Sequence, residues 1–277
     1  VSIDRRPIGI FDSGIGGLTV VKELVRQLPG EDIVYFGDTA RVPYGVKSRD
    51  TVVKFSIENT LFLLKNKVKL VIAACNTSSS VALTTLKRNF KVPVIGVIAP
   101  GARDAVLSSR SGRIGVIGTS TTISSKAYEK QILKNKGLFK PARGRSIKVF
   151  SRSCPLFVPL VEEGWLASKV TDNVIRQYLS SLKNKDIDTL ILGCTHYPLL
   201  KSGIRKVMGK KVTLVDSAVS TAKAAREFIE ARGIANSPGR RAALRFFVSD
   251  EAQRFKKVGE SFLGRRLSSV VRVKHGI

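Results

Sequence analysis

The chain has 277 residues, 43% hydrophobic and 25% charged, which gives room for one large or two modest domains of ordinary globular composition. Against 21 Asp and Glu stand 48 Lys and Arg, a formal charge of +27 whose field attracts small dicarboxylates, nucleic acids and acidic membranes. Apolar runs are too short to span a bilayer and the opening Val1-Ser2-Ile3-Asp4-Arg5-Arg6-Pro7 lacks a signal-peptide layout, so a cytoplasmic location without membrane association is expected.

From the N-terminus onward, short apolar runs alternate with helix-length amphipathic stretches. The runs predict strands over 8–11, 33–36, 70–74, 94–98, 114–117, 147–150, 189–192, 212–215 and 244–248. Helices are expected over 18–28, 49–66, 79–89, 128–136, 167–182 and 218–232. Pro29-Gly30, Val92-Pro93 and Ser237-Pro238-Gly239 read as turns or joins. Alternation of this kind argues an α/β fold with mainly parallel sheets, and the near-continuous apolar strands argue burial on both faces. A join near Ile98-Ala99-Pro100-Gly101 and a return near Gly209-Lys210-Lys211 divide the chain into a first domain of 1–98 with 211–277 and a second of 99–210.

The polar residues of interest follow the expected strands, at the end where parallel sheets bind ligands. Asp12-Ser13, Asp38-Thr39 and Cys75-Asn76-Thr77 do so in the first half; Thr119, Cys194-Thr195-His196 and Asp216-Ser217 do so in the second. Two of these segments echo each other: Leu70-Val71-Ile72-Ala73-Ala74-Cys75-Asn76-Thr77 and Leu190-Ile191-Leu192-Gly193-Cys194-Thr195-His196. A matched pair of thiols suits a reaction that takes a proton from one face of a carbon and delivers another to the opposite face.

Each candidate also has a purely structural reading. Cys75, before the N-capping side chains of Asn76 to Ser80, is either a thiol activated by a helix N-terminus, with its pKa lowered, or a packed strand-end residue. Cys194 has Gly193 before it for close backbone approach and His196 after it to exchange protons or stabilise a thiolate. Cys154, followed by Pro155 and without an acid/base neighbour, reads as a packed thiol. Asp12, opening the turn Asp12-Ser13-Gly14-Ile15-Gly16-Gly17, could orient an ammonium, relay a proton or cap the next helix. That turn has neither the Gly-Lys-Ser/Thr ending nor the dinucleotide spacing of a phosphate loop. Pro43-Tyr44-Gly45 suits a ligand-touching turn, and Glu162 and Glu163 read by spacing alone as solvated helix charges. Three cysteines without a Cys-x-x-Cys pair, and only His196 and His275, favour reduced thiols over disulfides and argue against a metal site. The basic residues thicken late in the chain (Arg240, Arg241, Arg254, Lys256, Lys257, Arg265, Arg266, Arg272, Lys274) without forming a block, which reads as a basic solvated surface.

Taken together, Gly9 to Val20, Tyr35-Phe36-Gly37-Asp38-Thr39, Pro43-Tyr44-Gly45, Ala74-Cys75-Asn76-Thr77, Gly115 to Thr119, Cys154 to Glu162 and Gly193-Cys194-Thr195-His196-Tyr197-Pro198-Leu199 closely resemble the glutamate racemases of the aspartate/glutamate racemase superfamily. The resemblance runs over nearly the whole chain, though members are usually far less basic. It implies two pseudo-symmetric, doubly wound α/β domains with the active site in the cleft between them. It implies cofactor-independent two-base interconversion of L- and D-glutamate, supplying D-glutamate for peptidoglycan, with no metal. By position, Cys75 matches the base for the D-isomer and Cys194 the base for the L-isomer. Asp12 and His196 match their respective assistants, and Glu162 matches a further acidic participant. Asp12, Ser13, Tyr44, Gly45, Asn76, Thr77, Thr195 and His196 match substrate-binding positions. A homodimer is expected, and the charge adds nonspecific nucleic-acid binding. The competing readings are a racemase of aspartate or broader specificity, and a nucleic-acid-binding protein on the same fold.

Overall fold

The computed structural model describes residues 4–139, 146–237, 239–240, 242–267 and 269–274. Val1 to Ile3, Pro238, Arg241 and His275, all named above, lie outside the described residues. Among the described residues ten strands form two sheets: β1 (Ile8–Asp12), β2 (Ile33–Gly37), β3 (Leu70–Ala73), β4 (Val94–Gly96), β5 (Arg113–Gly118), β6 (Lys148–Ser153), β7 (Thr189–Gly193), β8 (Thr213–Asp216), β9 (Leu244–Val248) and β10 (Val270–Arg272). The first sheet has the order β10-β9-β2-β1-β3-β4 and the second β6-β5-β7-β8. All pairings among the described residues are parallel, as the apolar runs imply.

The inner order of the two sheets is the same. Replacing β1, β2, β3 and β4 by β5, β6, β7 and β8 turns β2-β1-β3-β4 into β6-β5-β7-β8, so the expected pseudo-symmetry is a property of the strand order. In each sheet the chain goes to one side of its first strand and then to the other. That reversal opens a crevice at the carboxyl ends of β1 and β3 and of β5 and β7.

Two expectations are corrected here. The strand expected over 212–215 belonged to the return into the first domain, but β8 pairs with β7 and completes the second sheet. Hydropathy marks a strand without naming its partner, and this partner comes from the neighbouring β7. The strand expected over 94–98 stops at Gly96, and Ile98–Ser108 is a helix in place of a join. Pro100 falls within its first turn, where a missing N–H removes no helical bond.

Alternate residues of the central strands feed different cores. Ile10, Tyr35 and Ile72 face one cluster, Phe11, Phe36 and Val71 the other. The first cluster continues through Leu18, Ala102, Ala105, Ala222 and Ala225 to Val116 and Leu192, so the two sheets share one apolar core. The helix Ile98–Ser108, which leaves β4, packs on β7 and β8, while Ser217–Ala231, which leaves β8, packs on Leu18–Gln27 of the first half. Each helix thus packs with the half that the chain enters next. Among the described residues no helix is long and apolar enough to cross a membrane.

At the opposite end of the first sheet from its crevice, Lys69 and Glu31 form a buried ion pair at 2.7 Å. Lys69 Nζ also donates to the carbonyls of Asp4 (2.8 Å) and Ile234 (2.7 Å), and Glu31 Oε1 accepts from the Asn236 N–H at 2.8 Å. The pair thus ties the first described residues to the segment that follows the helix Ser217–Ala231. Lys69→Met or Glu31→Gln alone should strand a polar or charged partner and lower stability by about 3–5 kcal/mol, and the double variant should recover much of the loss. Urea denaturation of the three variants measures this; additive losses would contradict the pairing.

Candidate active site

The crevices of the two sheets face a common cavity of about 330 Å³. A larger cavity of about 640 Å³ lies near Glu31 and Asn236 at the far end of the first sheet, but it carries neither thiol nor imidazole. Chemistry, not size, identifies the site.

Cys75 and Cys194 occupy equivalent places, Cys75 two residues after β3 and Cys194 directly after β7, and both line the shared cavity. They are 5% and 6% exposed, so each thiol is almost removed from water. Cys75 precedes the short helix Asn76–Val81 and donates to Ser13 Oγ at 3.7 Å. The expectation that a helix terminus lowers its pKa is reversed. Burial comes first and the Asp12 charge second, together pushing the thiol up to about 11 despite the Ser78 N–H and Ser13 Oγ.

Cys194 has a different partner. His196 Nδ1 lies 3.8 Å from its sulfur, and His196 Nε2 lies 2.9 Å from Glu162 Oε1. Burial opposes charge on this ring, but the bonds and charges of Cys194 and Glu162 outweigh it and push His196 up to about 10. Burial likewise works against charge on Glu162, yet His196 and then Arg254 hold it below the usual carboxylate range. Glu162 is thus no solvated helix charge. It ends the helix Phe157–Glu162, whose buried Phe157 and Val161 turn the carboxylate toward the cleft.

Asp12 ends β1 and is fully buried. It does not cap the next helix: its Oδ2 accepts from the Gly14 N–H at 3.0 Å, and that helix begins at Leu18 after Gly17. Burial raises its pKa, moderated by the His196 charge and by the N–H groups of Gly14 and Gly17. Among the expected contact residues, Ser13, Tyr44, Gly45, Asn76, Thr77, Thr195 and His196 line the cavity, whereas Asp12 sits behind the wall formed by Ser13 and Gly14. Two buried polar atoms near this wall have no protein partner: Asp12 Oδ1, an acceptor, and Asn76 Nδ2, a donor. The other end of the Asn76 amide is held, its Oδ1 accepting from Tyr128 Oη at 2.6 Å.

Tyr44 is positioned from below. Its hydroxyl donates to the buried Asp38 Oδ2 and accepts from Asn59 Nδ2 at 3.1 Å, while Arg41 Nε donates to the same carboxylate oxygen at 2.7 Å. Thr119 and Ser120 also line the cavity and were missing from the sequence-derived contact set, although Thr119 was visible at the end of β5. Thr119 Oγ1 lies 3.0 Å from Thr77 Oγ1 and Thr121 Oγ1 donates to the Gly45 carbonyl at 2.9 Å, so this segment clasps the two halves together. Cys154 is fully buried outside the cavity, and burial foremost pushes its thiol up to about 12. No group of three or more His, Cys, Asp or Glu among the described residues is arranged to hold a metal ion.

Known proteins share this arrangement of chain. The sequence model of the Asp/Glu/hydantoin racemases matches residues 8–225. A glutamate racemase of Geobacter metallireducens is 48% identical over 268 residues, 97% of this chain and 96% of its own length. One from Neisseria meningitidis is 44% identical over 98% of both chains. Among solved structures, glutamate racemase isoform RacE1 from Bacillus anthracis superposes with a TM-score of 0.92 at 40% identity, covering 98% of both chains. The enzyme from Francisella tularensis, solved in complex with D-glutamate, gives 0.89 at 40% identity over 99% of both. On this sequence match and this shared fold, the chain belongs to the Asp/Glu/hydantoin racemase family.

Proposed function

We propose that this protein interconverts L- and D-glutamate without a cofactor, using Cys75 and Cys194 as two bases on opposite faces of the α-carbon, and supplies D-glutamate for peptidoglycan. The observation that carries the reading is the pair of buried thiols at equivalent strand ends on one cavity, each with its own polar partner. The family membership and the similarity to glutamate racemases support glutamate as substrate. We assign the first unit to 1–98 with the chain from 217 onward, so that β8 stays with the second. A cytoplasmic homodimer completes the reading, and sedimentation of the purified protein tests the assembly.

In the L-to-D direction the Cys194 thiolate takes the α-proton and becomes a thiol, while the Cys75 thiol gives its proton to the opposite face and becomes a thiolate. The reverse reaction exchanges these roles. Burial with the Asp12 carboxylate favours a protonated Cys75, and His196 Nδ1 stands 3.8 Å from the other sulfur, placed to assist the transfer there. A Cys75 held as the thiol is the proton donor that the L-to-D direction needs. Asn76 Nδ2 is a ready donor for a carboxylate, and Asp12 Oδ1 supplies negative charge on the ammonium side. Fixed donors in a closed cleft stabilise the carbanion-like state better than mobile water. Thr77, Thr119 and Thr195 add hydroxyls to that wall, and Tyr44 and Gly45 bound its far side.

The direct test follows the circular dichroism of L- and D-glutamate with no added cofactor and with a chelator present. Cys75→Ala and Cys194→Ala should each lower racemisation by about 10³-fold or more, the scale of losing a positioned acid/base group. Cys154→Ala should keep most activity, and robust turnover in either of the first two variants would refute the two-base assignment.

The His196–Glu162 pair sets an alkaline limit. The imidazolium persists below about 10 and is lost as pH rises through that value, so kcat/KM should fall on this side. Glu162→Gln removes an anion that favours the charged ring and should shift the alkaline limb to lower pH. A limb that stays in place would remove Glu162 from the relay.

The +27 charge supports steering of the anionic substrate and nonspecific polyanion binding. Rising ionic strength should lower kcat/KM more than kcat, and should weaken DNA binding steeply whatever the sequence. Sequence-specific DNA binding that survives high salt would instead favour a dedicated nucleic-acid function.

A further inference from the structure

The turn Gly14-Ile15-Gly16-Gly17 lies where the two halves touch, with Thr19 Oγ1 donating to the Thr195 carbonyl at 3.1 Å. A methyl group placed on Gly16 would stand 2.2 Å from Thr195 Oγ1 and 2.6 Å from both Cε1 and Nδ1 of His196. Nδ1 is the atom that faces the Cys194 sulfur. A methyl group on Gly17 would stand 2.6 Å from Asp12 Cβ, 3.1 Å from Asp12 Cγ and 2.9 Å from the Tyr35 hydroxyl oxygen. Tyr35 is fully buried, and its hydroxyl donates to the Gly14 carbonyl at 2.7 Å, so it cannot retreat freely.

Neither glycine is required by backbone conformation. Gly17 has φ −60° and ψ −12°, open to any L-residue, and Gly16 is not among the glycines with positive φ. Alanine would even suit the start of the following helix better on intrinsic propensity. What excludes a side chain is space: at Gly16 the Thr195 hydroxyl and the imidazole beside Cys194 fill it, and at Gly17 the Tyr35 hydroxyl and the Asp12 side chain, whose charge acts on Cys75, fill it.

We propose that Gly16 and Gly17 are positioning residues for opposite halves of the reaction, Gly16 seating His196 against Cys194 and Gly17 seating Asp12 behind Cys75. The inference rests on the two-base reading and adds residues that touch no substrate. A displaced imidazole slows proton transfer at Cys194, on the L-face; a displaced carboxylate slows it at Cys75, on the D-face. Because both directions pass through both transfers, kcat/KM falls for both isomers in either variant. Overall rate therefore cannot tell the two glycines apart, but the α-deuterium isotope effect can, since it grows when the labelled bond is broken in the slower step.

Gly16→Ala and Gly17→Ala should each lower kcat/KM by about 10²-fold, the effect of an ångström-scale misplacement. In Gly16→Ala the isotope effect on kcat/KM should rise for α-deuterated L-glutamate and fall toward unity for α-deuterated D-glutamate. Gly17→Ala should do the reverse. Isotope effects that match wild type, or that move the same way in both variants, overturn the proposal. Stability gives an independent reading: the loss from Gly16→Ala in urea denaturation should shrink in a His196→Ala background, where the ring it meets is absent. If Gly16→Ala alone does not fold, recovery of folding in that double variant supports the assignment and failure in both overturns it. Wild-type-like turnover by Cys75→Ala or Cys194→Ala would instead bring down the two-base reading itself, so the two failures are distinct.

Discussion

The His196 imidazole is the contact on which the rest of the site depends. One ring nitrogen faces Cys194 and the other faces Glu162, while the ring edge meets Phe262 at 5.3 Å between centroids. Gly16 closes the remaining side. Cys194 and Glu162 come from the second half, whereas Phe262 lies on the late helix Ala252–Leu263, beside the first sheet, and Gly16 on the first turn. The ring is therefore fixed only when the halves are docked. Arg254, on the same late helix, bonds Glu163 at 3.2 Å and adds its charge to the field at Glu162. A small opening of the cleft would loosen His196 on several sides at once.

The sheets supply the symmetry and the side chains remove it. An identical inner strand order delivers two cysteines to equivalent ends, which is what opposite-face proton transfer asks of a scaffold. Their neighbours differ: a buried carboxylate near one, an imidazole near the other. Like charge disfavours a thiolate, so the buried carboxylate makes the Cys75 setting unlike its counterpart although the backbones match. The connecting helices Ile98–Ser108 and Ser217–Ala231, packed on each other, hold the two settings together through a shared apolar core.

Much of this was legible in the sequence because burial on both faces writes itself as uninterrupted apolar residues. Ile8 to Phe11, Leu70 to Ala73 and Leu190 to Leu192 announce central strands, and the polar residue after each announces the rim. What was not legible depended on partners far away in the chain. β8 reads as a strand, but nothing in Thr213 to Asp216 says that it pairs with β7. Glu162 looks like a surface charge until the helix Phe157–Glu162 is packed by Phe157. A lowered pKa at Cys75 is one of the two readings its local cue allows, and the burial and Asp12 charge that oppose it come only with folding. β10 and the short helices gave too few periods to stand out, whereas Ala252–Leu263 did carry a signal in Phe255, Gly259, Phe262 and Leu263.

An asymmetric resting site does not bias the reaction it is proposed to serve. Enantiomers have equal free energy in water, so the equilibrium constant is unity and the two values of kcat/KM must match. What the unequal partners can favour is the form in which Cys75 holds its proton. Each L-to-D turnover leaves the opposite form, with Cys194 protonated and Cys75 as the thiolate, and the proton must then be redistributed. Asp12, whose carboxylate interacts with both His196 and Cys75, lies between the two half-sites electrostatically. Its field opposes a Cys75 thiolate and is itself offset by the His196 charge, so the two half-sites act on each other through it. The asymmetry is thus held to a few groups whose charges compensate one another, and the strand framework beneath them stays the same on both sides.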